Sequence, residues 1–187
     1  TSGNQPKLYN DTFYGAISGV RFDGVNDYMD FDGTMLVGIS YTIFVVEQRR
    51  ASSSNYMPFL GGTSSGLNQV LVAGYRNNTT ISQVQFGNDL NYTIAGYSSP
   101  TPRIHTFILN TTSGKKYWIN GGDSTDASEP SQIAPLTQNS GATLGRFLDD
   151  YYNGDFAEII VFTRSLKTDE RQSIENYLSR KYNISLN

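Results

Sequence analysis

Apolar and polar positions alternate over short runs through most of the chain, and the period changes only from Thr168 onward. Gly19–Asp23 is followed by a turn at Gly24–Asn26 and then by Asp27–Asp32. In that second run Met29 and Phe31 share one face while Tyr28, Asp30 and Asp32 share the other. Alternation of this kind predicts strands with one wet and one buried face, as in an antiparallel sheet. Tyr41–Val46 is close to continuously apolar, which predicts a central strand covered on both sides. Further strands are predicted at 56–60, 69–75, 81–86, 104–110, 116–120, 142–147 and 156–162, separated by Ser/Asn/Gly loops at 51–55, 61–68, 88–102 and 121–141. The last of these is long for a connection and is expected to be mobile or to cover a sheet edge. From Thr168, taken as the N-cap, Ile174, Tyr177, Leu178 and Tyr182 recur at helical spacing. Asp169 and Glu170 stand in the first turn and Arg180 and Lys181 in the last, which complements the helix dipole. One amphipathic helix after many strands must dock its apolar stripe on a sheet or on a neighbouring domain.

Composition narrows the class. The 187 residues are 37% hydrophobic and 17% charged, with 18 Gly and no Cys, which suits a single all-β domain spanning 1–187 with a core of its own. The net charge is −3 and cations cluster no further than Arg49-Arg50 and Lys115-Lys116, so nucleic acid is excluded as a natural partner. The longest apolar run is far too short to insert into a membrane. Thr1 is no natural initiator, so the chain reads as a mature or excised piece of a longer protein. Asn-x-Ser/Thr sequons stand at Asn10, Asn77, Asn78, Asn91, Asn110 and Asn183, a number that an Asn- and Thr-rich sequence produces by chance.

Three segments in order resemble the laminin-G-like, concanavalin A-like sandwich family of bacterial and phage surface proteins. They are Gly19-Val-Arg-Phe-Asp-Gly-Val-Asn-Asp-Tyr28, Tyr117-Trp-Ile-Asn-Gly121, and Gly154-Asp-Phe-Ala-Glu-Ile-Ile-Val-Phe162 continuing through Arg164-Ser-Leu166, Asp169-Glu-Arg171 and Tyr177-Leu178. The resemblance implies a two-sheet antiparallel jelly-roll sandwich with one C-terminal α-helix. It also implies an extracellular, cell-surface or virion-surface module that binds glycans or serves adhesion. The alternative is a structural or assembly domain of a phage fibre, virion decoration or pilus-like appendage, whose loops meet protein neighbours in a larger assembly.

Catalysis finds little support in the residues. No Glu-x-Asp-x-Glu triplet is present to aim acid, base and orienter into one cleft. Asp30 and Asp32 would lie ~7 Å apart on one strand face, and read as a solvated face. Gly62–Gly66 matches the G-x-S-x-G elbow, but a strand rather than a helix is predicted after it. His105 is the sole histidine and reads as structural, and Trp118 as core or inter-sheet packing. Sugar recognition needs exposed aromatic faces beside Asn, Asp or Arg. Two loops meet that need: Asp149, Asp150, Tyr151, Tyr152 and Asn153 with Arg146, and Tyr75, Arg76 and Asn77 with Asn78. Domains of the resembled family often hold one Ca²⁺ at the rim. Asp149 and Asp150, with Asp89 and Asp27, are the donors available, in no dense calcium motif. No other cofactor is implied.

Overall fold

Two antiparallel sheets and one helix organise the computed structural model, which describes residues 3–13, 17–122 and 125–187. In chain order the strands are β1 Lys7–Phe13, β2 Ile17–Asp23, β3 Met29–Asp30, β4 Tyr41–Arg49, β5 Met57–Gly62, β6 Val72–Asn77, β7 Thr80–Val84 and β8 Leu90–Thr93. They continue with β9 Arg103–Asn110, β10 Gly114–Ile119, β11 Ala127–Glu129, β12 Ala142–Leu144, β13 Arg146–Phe147, β14 Asp150–Tyr151 and β15 Asn153–Phe162, before helix α1 Thr168–Tyr182. One sheet runs β1-β2-β15-β4-β9-β10-β11 and the other β3-β12-β5-β6-β7-β8, with β13 and β14 forming a separate small hairpin. The sandwich and its closing helix are as expected.

β4 lies at the centre of the larger sheet, and all nine of its residues are buried. Its apolar run conceals a period of two. Tyr41, Ile43 and Val45 enter the inter-sheet core with Phe59, Leu60, Phe107 and Phe156. Phe44 and Val46 enter a second core with Ile104, Leu178 and Tyr182, where α1 covers the outer face. The helix is capped from within: the Glu170 carboxylate accepts the Lys167 N–H at 2.9 Å, so Lys167 rather than Thr168 is the cap residue. Its buried stripe is Arg171, Glu175, Leu178 and Tyr182, whereas Tyr177 is 47% exposed and accepts from Lys181 Nζ. Trp118 is buried, but beneath α1 rather than between the sheets, with the Arg171 guanidinium 4.2 Å from its ring.

Other expectations shift locally. Asp27–Asp32 does not alternate as one strand. β3 is only two residues long and Met29 is 46% exposed, because the Asp32 carboxylate accepts the Thr34 N–H and starts a 3₁₀ turn at Gly33–Leu36. The expected strand 142–147 breaks at Gly145 (φ 79°), where a Cβ would strike the Phe22 ring. Within the expected loop 121–141, whose residues 123 and 124 lie outside the described residues, β11 pairs with β10 and covers that sheet edge. Ser64 sits in a turn bonded to Gln69 and Gly66, with no helix following, so the elbow context is absent.

A candidate ligand groove at the loop rim

The loop 50–56 after β4 is the middle of the rim. Ser52, Ser53, Ser54, Asn77, Asn78 and Thr79 line a shallow, open groove of about 670 Å³. Short side-chain-to-backbone bonds shape both walls, as Asn and Ser favour in turns. Asn77 Oδ1 accepts the Thr79 N–H at 2.9 Å, Ser53 Oγ accepts the Asn55 N–H at 3.0 Å, and Asn78 Oδ1 accepts the Tyr97 N–H at 3.0 Å. On the other flank of the same loop, the Asp150 carboxylate accepts from the Asn55 side chain and the Tyr56 N–H, while its burial pushes its pKa up. The two loops singled out from sequence, far apart in the chain, therefore flank one and the same loop.

Their residues do not all reach the surface. Arg146 donates from Nε to the Leu148 carbonyl at 2.8 Å, and its guanidinium lies 4.8 Å from the Tyr28 ring and 5.9 Å from that of Tyr151. Asp149 is exposed and Tyr151 half-buried. Asn153 turns away from the hairpin tip and donates to the Asp23 carbonyl at 3.1 Å. Arg76 is exposed and donates to Asn91 Oδ1, and Asn77 shapes the turn. Tyr75 and Tyr152 correct the expectation of exposed stacking faces, since both are fully buried. Strand alternation sends Tyr151 outward and Tyr152 inward, where its ring stacks on Phe156 at 4.5 Å. The Tyr75 ring meets Phe59 edge-on at 5.3 Å.

Both tyrosines end on Glu47, the seventh residue of β4. Glu47 Oε1 accepts from Tyr75 Oη at 2.7 Å and from His105 Nε2 at 2.9 Å, while Oε2 accepts from Tyr152 Oη. Burial pushes the Glu47 carboxyl up, and the hydrogen bonds from His105, Tyr152 and Tyr75 draw it back down, below the usual range. Burial also pushes His105 down, so the imidazole is neutral at pH 7 and Glu47–His105 is a hydrogen bond rather than an ion pair. With its proton on Nε2, His105 accepts the Tyr117 hydroxyl at Nδ1, 2.8 Å away. Arg103 donates to Tyr75 Oη at 3.1 Å. Arg49 completes the cluster: fully buried, it donates from Nη1 to the Asn78 carbonyl at 3.2 Å and lies 4.2 Å from the Tyr75 ring and 5.3 Å from that of Tyr97. Sequence reasoning missed Glu47, Arg49, Arg103 and Tyr97. The signal available was the inner-face alternation 41, 43, 45, which continues through 47 and 49.

Calcium does not fit these residues. Asp27 accepts the Asp23 N–H, Asp89 accepts the Gln85 N–H, and Asp150 is committed to loop 50–56. Among the described residues no three acidic or histidine side chains come together, whereas Ca²⁺ takes six or more oxygens. Asp30 and Asp32 are exposed and face no pocketed partner acid.

No protein-family model matches the chain, and no curated sequence does either. Solved structures do overlay it. The CBM40 of the Ruminococcus gnavus IT-sialidase superposes with a TM-score of 0.65 at 13% identity, covering 84% of this chain and 96% of that one. The binding domain of botulinum neurotoxin DC, solved in complex with SialylT, gives 0.63 at 11% identity over 95% of this chain and 47% of its own. The NanB sialidase from Streptococcus pneumoniae gives 0.61 at 16% identity over 90% of this chain and 28% of its own. The chain thus spans about half the length of the toxin domain, and the likeness is one of fold: a β-sandwich shared with these proteins.

Proposed function

We propose that the chain is a one-domain, non-catalytic glycan-recognition module of an extracellular, cell-surface or virion-surface protein, and that the groove between Ser52–Ser54 and Asn77–Thr79 takes the sugar. The observation that carries this reading is the groove's lining, three serines, a threonine and two asparagines, which offers hydroxyls and amides of the kind that bond a polyol. It holds neither an acid nor a base, so it can bind hydroxyls but cannot move a proton in a bond-breaking step. The sole histidine and its carboxylate partner are sealed in the core below. Arg146, Tyr151 and Asp149 on the neighbouring hairpin extend the same rim and are assigned to outer sugar units. The overlay with nearly all of a CBM40, and with a toxin domain solved with SialylT, supports the reading.

A glycan array tests it. Ser54 and Thr79 are both exposed, so Ser54→Trp with Thr79→Trp fills the groove at little cost to folding. Loss of array signal with an unchanged Tm is the expected result, and retained binding would refute the groove as the site. The assembly-domain reading is favoured by a single observation, the cleft in which Leu8 (71% exposed) and Met29 stand beside Pro6 and Val20. A dimer in sedimentation that Leu8→Asp dissolves would support it.

A further inference from the structure

Two arginines of this protein invite comparison through the same edge of the guanidinium. Arg21 turns its Nε and Nη2 to the Asp155 carboxylate, at 2.6 Å from Oδ1 and 3.3 Å from Oδ2, the planar fork that suits a carboxylate. Arg49 presents the same two nitrogens, fully buried, and neither has a hydrogen-bond partner among the described residues. Buried N–H groups normally find an acceptor, and a charged one more so. Among the described residues no carboxylate takes the position: the oxygens of Glu47 are occupied by Tyr75, His105 and Tyr152.

The local charge points the same way. Arg49 and Arg103 both bear on His105, which is neutral, against the single negative charge of Glu47. One further anion would balance the cluster. Arg49 stands behind the Asn78 wall of the groove, on the Asn78 carbonyl. On its other side is Tyr97, half-buried, in the segment 94–102 between β8 and β9, tied to the wall by Tyr97 N–H on Asn78 Oδ1 and Ile94 N–H on the Thr79 carbonyl.

We propose that Arg49 is an anion receptor, whose Nε–Nη2 edge takes the carboxylate of an acidic sugar entering from the groove when the Tyr97 ring swings aside. The inference rests on the glycan reading above and narrows it to carboxylate-bearing glycans. Arg103 remains on Tyr75 and balances charge, and the hydroxyls of the same sugar bond to Ser52–Ser54 and Asn77.

The test uses the wild-type chain, so it does not depend on a variant folding. The ¹⁵N-labelled protein is titrated with the methyl glycosides of glucuronic acid and N-acetylneuraminic acid, each alongside its methyl ester, while the Arg49 Nε–H resonance is followed. At least one acid is expected to shift that resonance and to bind about tenfold or more tightly than its ester. Equal affinity of acid and ester, with Arg49 unmoved, would overturn the receptor while leaving a neutral-glycan groove intact. Binding of neither probe, with a blank glycan array, would overturn both readings. Arg49→Lys keeps the charge but loses the fork, and should abolish the preference for acid over ester. Tyr97→Ala should speed association, and an unchanged rate would remove the gate.

Discussion

On the inner face of the larger sheet, the Glu47 carboxylate is held by two tyrosine hydroxyls and an imidazole N–H; on its outer face, under α1, Glu175 meets Arg171 and the Thr106 hydroxyl at 2.8 Å. Arg171 also donates to the Gly122 carbonyl at 2.9 Å. The outer site has the full opposite charge in contact, yet burial wins there and the Glu175 carboxyl is pushed up. The inner site has only neutral donors in contact, and its carboxyl is held down. Several hydrogen bonds converging on a carboxylate oppose the cost of burying it. The inner cluster is thus a rigid, ionised support under the groove, and the outer one is a fastener for the helix.

That contrast can be broken most severely at Glu47. Glu47→Leu strands three buried donors at once and should cost about 4–5 kcal/mol in urea unfolding, by analogy with breaking a buried pair. No single apolar replacement opposite it should rescue the loss, because the donors come from three separate segments of the chain. Arg171→Met should cost about 3 kcal/mol by leaving Glu175 buried and uncompensated, and adding Glu175→Leu should recover most of it. Failure of that rescue would show that the outer pair is more than a fastener. Gly154→Ala should cost about 1–2 kcal/mol, since the new Cβ meets the Tyr152 hydroxyl and the Gln48 carbonyl and must disturb the inner cluster. A pH-dependent effect concerns a third buried charge. Lys115 Nζ donates to the Gln83 and Asn88 carbonyls, and burial lowers its pKa from 10.5 to about 7. Between those values the unfolded chain binds the proton and the fold does not, so stability should rise as pH goes from 7 toward 10. Lys115→Met should flatten that rise in thermal melts taken across the range.

The rim was partly legible. Asn77, Asn78 and Arg146 were placed in turns and loops because such residues announce themselves locally. Tyr75 and Tyr152 were misread because each is adjacent to polar loop residues, while strand alternation turns its ring inward onto Glu47. Tyr177 was placed in the helix stripe by spacing, but Arg171 and Glu175 occupy the buried face, which no hydrophobicity pattern would select. Glu47 and Arg49 were passed over because their polarity looked like the end of β4 rather than its inner face.

The sequence by itself determined many of the strands and the closing helix, since a period of two or of about 3.6 is a local property that fixes which face a residue occupies, and its family resemblance pointed to the two-sheet sandwich. Only the tertiary structure decided what each inward residue meets. Glu47 finds Tyr152 at a separation of 105 residues and Arg21 finds Asp155 at 134, through strand registers that no local pattern encodes. The same registers fill the fork of Arg21 with a carboxylate and leave that of Arg49 without one.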